Sequence, residues 1–207
     1  MCHIPALEMM RVVIDHKKVF VLALNGPSVG GGAAWFQGVA DLVFAAKGAW
    51  LQVTFNALGL VPENGAIVTY AQSIGVHRAN EFLMFGRKVS VEEFKEWGLV
   101  NHIFPVETFH EDTIKFLEEQ AQLQDSRSLL ESKRLASAPL RAGRINAVYD
   151  SFEALSERSV DGASTRLFEA KIKELEGKVD LHNTAIGRTL ANSLIQKNRK
   201  TSQKYKM

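Results

Sequence analysis

The sequence predicts an α/β fold with a C-terminal helical subdomain, and three observations predict it. Strand-like runs too apolar for a half-exposed sheet, "KVFVLAL" at 18–24 and "DLVFAA" at 41–46, alternate with segments of helical period. Glycines punctuate the joins, closing helices at Gly75 and Gly86. From residue 108 onward the chain reads as helices only, at about 108–123, 125–136 and 144–176. With 207 residues, 46% of them hydrophobic, there is material for one sizeable core.

The elements follow in order. "PALEMMRVVIDH" has a helical rhythm that puts Leu7, Met10, Val13 and Ile14 on one face. The run 18–24 is read as a strand buried on both faces, followed by the glycine-rich turn and a short helix in "GAAWFQGVA". Two strands are expected in 41–46 and 49–54, then helices in 64–75 and 77–86. "SVEEFKEWG" carries a capping box, with Ser90 as the cap and Glu93 three residues on. "LVNHIFP" is a short strand ended by proline. The segment after Lys178 is weakly amphipathic and then basic and polar, so 197–207 is expected to be disordered.

Composition excludes several function classes. A formal net charge of +2 gives no electrostatic case for nucleic acid or a membrane surface as partner. The single Cys2 excludes an internal disulfide framework and a multi-cysteine zinc site. The histidines His3, His16, His77, His102, His110 and His182 form no close pair, so no metal ligand set is expected. No run reaches the roughly 18 apolar residues of a membrane span, and "MCHIPALEMMRVVIDHKKVF" is neither signal nor transit peptide. Ser28 is not in a G-x-S-x-G elbow. The basic residues of "SKRLASAPLRAGR" read as a solvated helical face, with an anion-binding patch as the alternative.

Two stretches can carry chemistry. In "LALNGPSVGGGAAW", Gly30, Gly31 and Gly32 follow a buried strand and open a helix, which presents free backbone N–H groups. The stretch matches neither the G-x-G-x-x-G fingerprint nor the P-loop, leaving an oxyanion hole or simply a tight helix–strand turn. In "LGLVPENGA", Glu63 sits at the end of an apolar run and the start of a helix. It reads either as a first-turn carboxylate favoured by the helix dipole or as a general base raised in pKa by an apolar pocket.

Together these motifs resemble the crotonase, or enoyl-CoA hydratase/isomerase, superfamily. The resembling residues are Asn25 to Trp35, Asp41-Leu42, Leu58 to Gly65, and Gly75 through Glu81, Gly86 and Val100, within about residues 10 to 176. The resemblance implies a crotonase-like spiral βαβ core with a C-terminal helical subdomain, divided as 1–107, 108–178 and a divergent tail at 179–207. Family hydratases place glutamates where this chain has Ala34 and Phe55, so it implies no hydration of a double bond. Glu63 instead matches the base of the peroxisomal 3,2-trans-enoyl-CoA isomerases, the fungal members especially. There it would take a proton from C2 of a 3-enoyl-CoA and return it at C4, with Gly31 N–H stabilising the enolate-like oxygen.

The same resemblance places acyl-CoA against Pro27, Gly30, Gly32, Phe55 and Leu58, and places Phe168 and Lys171 near CoA, sometimes that of a neighbouring subunit. It implies no separate cofactor, since the substrate carries coenzyme A, and a homo-oligomer, trimer or hexamer. It implies a peroxisomal location, although Tyr205-Lys206-Met207 is not an import tripeptide of the Ser-Lys-Leu type and the cytoplasm is the alternative. By resemblance the family's earlier "F-S-x-G-x-D" segment, with the other oxyanion donor, is not in these residues, so the core is expected to be N-terminally truncated. Its lack would cost about 2.7–4 kcal/mol of transition-state stabilisation and expose a sheet edge. Two readings therefore stand: an isomerase, or a non-catalytic acyl-CoA-binding or oligomerisation module.

Overall fold

The computed structural model describes residues 4–176, so the expectations for the tail at 179–207 lie outside the described residues. These residues form two compact units, the first running to Ser164 and the second starting at Thr165.

The first unit opens with helix α1 (Ile4–Ile14), whose Leu7, Met10, Val13 and Ile14 cluster with Phe20, Trp35, Val39 and Val148 as the apolar rhythm predicts. Strand β1 (Val21–Leu24) and the two-residue β2 (Ser28–Val29) lead into α2 (Gly31–Val39). Next come β3 (Leu42–Ala46), β4 (Trp50–Gln52), a 3₁₀ turn at Asn56–Leu58, α3 (Ala66–Ile74) and α4 (Val76–Phe85). Then follow β5 (Val89–Ser90), α5 (Val91–Glu96), β6 (His102–Phe104) and α6 (Phe109–Leu123). Ser90 Oγ accepts from Glu93 N at 3.2 Å, as the capping pattern requires, while the Glu93 carboxylate turns to Arg87 instead of closing the box.

The strands divide into two small sheets. One is parallel throughout, in the order β1-β3-β6, with Leu22 opposite Val43 and Ala45 opposite Ile103. The other runs β2-β4-β5, parallel between the first pair and antiparallel between the second. The main core lies around β3, β4, α3 and α4 and includes Leu51, Val53, Tyr70, Phe82 and Phe94.

Two sequence expectations are corrected. The first strand is not buried on both faces: Val21 and Leu22 are half-buried and Ala23 is exposed. β1 and β2 each end their sheets among the described residues, so one side of each lacks a neighbouring strand, as expected of an open edge. The helices read at 125–136 and 144–176 are divided elsewhere. α7 runs unbroken over Ser126–Val160 with Pro139 inside it, and α8 (Ala163–Glu176) follows after a break at Gly162, φ 69°. Pro139 is exposed, as is Leu135 one turn earlier, so water can satisfy the carbonyl that the proline cannot reach. Gly162 adopts the left-handed conformation that ends the helix.

Gly86 shows how tightly the core is closed. Its φ is 67°, and a Cβ there would lie 2.3 Å from the Val53 carbonyl oxygen. Gly86→Ala should therefore lower stability by about 1–3 kcal/mol, read as a lower urea midpoint with an unchanged slope.

Candidate active site

The glycine-rich turn is built by two different constraints. Gly30 precedes α2 with φ 93° and ψ −175°, a conformation that favours glycine, and its N–H donates to Gln52 O at 2.9 Å. Gly31 is the first residue of α2 and is constrained by crowding: a Cβ there would lie 2.7 Å from Glu63 Oε2 and 2.9 Å from Trp35 Nε1. Gly32 is exposed and has open space around it. At the start of α2 the N–H groups of Gly31 and Gly32 have no intrahelical acceptor, so the turn presents donors near the Glu63 carboxylate, whereas the Gly30 N–H is taken by Gln52.

Glu63 precedes α3 by three positions rather than lying in its first turn, so the simple dipole reading does not describe it. Asn64, φ 51°, and Gly65, φ 75°, turn the chain between the carboxylate and the helix. That turn is fixed from both sides. The Glu63 carbonyl accepts from Ala66 N at 3.0 Å. Gly65 N donates to Ser151 Oγ on α7 at 3.0 Å, and Ser151 Oγ donates to Ala147 O at 2.6 Å. Glycine suits this position on two counts: its φ of 75° is left-handed, and a Cβ on Gly65 would lie 3.3 Å from the Val148 backbone nitrogen, a tight contact with α7. Arg141 on α7 grips Asp15, just beyond α1, through two bonds of 2.6 and 2.8 Å, which ties these helices together.

The result is a cavity of about 30 Å³ lined by Ala6, Leu7, Trp35, Glu63, Asn64, Phe152 and Leu155. Glu63 is the one carboxylate in it. Burial pushes its carboxyl upward from the ordinary glutamate value, and the Trp35 indole N–H acts in the opposite direction. Below the ordinary glutamate pKa both folded and unfolded chains hold the proton; between that value and the raised one only the folded chain does, so stability falls as pH rises across this interval and levels off above it. Glu63→Gln should thus be more stable than the parent at neutral pH, and the difference should vanish below the ordinary value, read by urea unfolding across pH.

The structure brings Gly31 and Glu63 together, with Gly30 and Gly32 on the same turn and Pro27 exposed just before β2. Phe55 is buried in the main core and Leu58 is half-buried in the 3₁₀ turn; neither lines the Glu63 cavity. Ala34 is buried in that same core, so the two positions where the resemblance seeks hydratase glutamates both face apolar side chains here. Phe168, exposed, and Lys171, paired with Glu174 at 2.8 Å, belong to the second unit. Among the described residues no three His, Cys, Asp or Glu side chains gather as a metal site, and no helix is long and apolar enough to cross a membrane.

Sequence reasoning missed Trp35, Asn64, Leu7, Phe152 and Leu155. For Trp35 a signal existed. It stands four residues after Gly31 on a helix whose side chains lean toward the N-terminus, which carries the indole back over the glycine.

Residues 3–150 match the family described as enoyl-CoA hydratase/isomerase. The chain is 36% identical over 113 residues to the Delta(3,5)-Delta(2,4)-dienoyl-CoA isomerase of Pyricularia oryzae, covering 54% of this chain and 40% of that protein. It is 33% identical over 130 residues to chromodomain Y-like protein 2 of Mus musculus, covering 60% of this chain and 26% of that protein. The chain thus spans well under half the length of these curated relatives. An enoyl-CoA hydratase/isomerase from Pseudoalteromonas atlantica shares the fold, with a TM-score of 0.75 at 23% identity over 81% of this chain and 67% of that one. OdaA from Pseudomonas aeruginosa gives 0.67 at 28% identity over 78% and 65% of the two chains.

Proposed function

The chain belongs to the enoyl-CoA hydratase/isomerase family and has its crotonase-like fold, and from that premise we propose that it is an isomerase moving the double bond of a 3-enoyl-CoA to the trans-2 position. The observation that carries this reading is a single carboxylate set against a helix N-terminus, Glu63 over Gly31, in a small and mostly apolar cavity. A 1,3-proton shift needs one base that can give back what it takes. Glu63 removes a proton from C2, the negative charge moves onto the thioester oxygen, and the carboxylic acid returns the proton at C4. Gly31 N–H meets the charge on that oxygen. The raised Glu63 pKa suits the first half of the cycle, since a more basic carboxylate takes the proton from C2 more readily. Hydration would need a second acid or base to hold water, and the cavity lining offers none.

Acyl-CoA is the substrate class under this reading, fatty-acid β-oxidation the setting, and the peroxisome the compartment suggested by kinship with the isomerases. Pro27, Gly30, Gly32 and Leu58 are the proposed contacts to acyl-CoA on the first unit, and Phe168 and Lys171, on the second, are proposed to meet the CoA of a neighbouring subunit, with oligomerisation through the C-terminal helices. Phe55, buried in the core, would back this surface rather than touch the ligand.

One observation favours a second reading, a non-catalytic acyl-CoA-binding or oligomerisation module in which the Glu63 cavity stays closed to the acyl group. A cavity of about 30 Å³ admits water, whereas drug-sized ligands occupy pockets of roughly 300–1,000 Å³. An acyl group must therefore displace Leu7 or Phe152 to reach Glu63. The deciding assay incubates the protein with 3-hexenoyl-CoA and follows the conjugated 2-enoyl thioester. Turnover supports the isomerase; saturable binding without turnover supports the second reading and contradicts the first.

A further inference from the structure

The Trp35 indole N–H is buried and has no hydrogen-bond partner of good geometry. Such a group costs free energy unless something uses it, and unpaired buried donors in native structures are uncommon. Its surroundings show what it faces. Trp35 Nε1 and Glu63 Oε2 converge on the same point, lying 2.9 and 2.7 Å from where a Gly31 Cβ would be, with Trp35 Cε2 at 3.1 Å. Trp35 and Glu63 also line one cavity. The rest of the indole is held in place by packing against the cluster of Met10, Val39 and Val148, so the N–H is presented by a ring that is already fixed.

We infer that Trp35 is a positioning residue for Glu63, its indole N–H steering the carboxylate over Gly31 so that the base faces C2 and C4 while the Gly31 N–H is left to the thioester oxygen. This assignment rests on the isomerase reading for its consequence in catalysis, but the contact itself does not depend on turnover. An N–H donor favours the charged carboxylate, opposing what burial does to it. It also selects one carboxylate orientation, which matters because the same oxygen must reach both C2 and C4 of the substrate. Asn64, the other polar side chain in the cavity lining, carries no charge and does not titrate.

The test replaces the donor and keeps the bulk. Trp35→Phe removes the N–H with part of the ring, and Trp35→3-benzothienylalanine puts sulfur in its place with the ring size retained. Glutamate labelled with ¹³C at Cδ is titrated by NMR in the parent and both variants, the Glu63 resonance being identified by its loss in Glu63→Gln. The expected result is an upward move of the Glu63 pKa in both variants. Where the parent isomerises 3-hexenoyl-CoA, the acid limb of its pH profile should move the same way, and kcat should fall by roughly 10–100-fold with KM little changed. A Glu63 titration identical to the parent's in the folded benzothienyl variant would overturn the inference. Because the titration needs no substrate, a parent without isomerase activity would refute the proposed function while leaving this inference decided on its own data.

Discussion

Glu63→Gln should slow conversion of 3-hexenoyl-CoA to its conjugated isomer by roughly 10²–10⁴-fold, the usual contribution of a positioned acid–base group. Glutamine has nearly the same shape and can sit over Gly31 as the carboxylate does. The turn that carries it is held by backbone bonds to Ala66 and Ser151, which the substitution does not touch. What is lost is the basicity: an amide oxygen still accepts a hydrogen bond but does not take up a proton. The variant should fold, and at neutral pH should be the more stable protein, since no charge is then confined to the cavity. A rate equal to the parent's would remove Glu63 from the mechanism.

Gly31→Ala should cost about 10²-fold in kcat by a different route. The new methyl would start 2.7 Å from the carboxylate oxygen and 2.9 Å from the indole nitrogen, closer than real side chains approach, so one or both must move. Both are anchored, Glu63 by its staked turn and Trp35 by its packing against α1 and α7. Gly31 itself has no left-handed backbone to defend, so the helix can accept alanine. The penalty in stability should therefore be that of local overpacking, about 1–3 kcal/mol, with the fold retained by circular dichroism. Unchanged kcat would mean that the geometry over Gly31 does not matter to the reaction.

These two variants mark what was legible in the sequence. The glycines and Glu63 stood out because each pays a local cost: consecutive glycines sacrifice chain stiffness, and an apolar run rarely ends on a carboxylate without cause. Their meeting across 32 residues of chain was legible only through the family resemblance, since spacing alone does not bring a turn after β2 to one before α3. The walls of the cavity were not legible. Leu7, Phe152 and Leu155 look like any apolar helix positions, and only the packing of α1 and α7 turns them toward Glu63.

The helical region illustrates the opposite failure. The expected helices at 125–136 and 144–176 left a gap that holds Pro139 and Gly143, but α7 crosses it: exposure lets water satisfy the freed carbonyl at Leu135, and the stop falls at Gly162 instead. The two-residue strands β2 and β5 were too short to show a period of two. Ala23 is exposed although the apolar run suggested a strand buried on both faces, so one face of β1 is left partly uncovered among the described residues.

The measurement that bears most directly on the central claim follows the proton itself. 3-Hexenoyl-CoA carrying deuterium at C2 is converted by the protein, and the product is examined at C4. A single carboxylate in a cavity with room for little more than water should carry part of the label from C2 to C4, and Glu63→Gln should abolish both transfer and turnover. Product in which C4 holds only solvent hydrogen, formed as fast by Glu63→Gln as by the parent, would contradict the account.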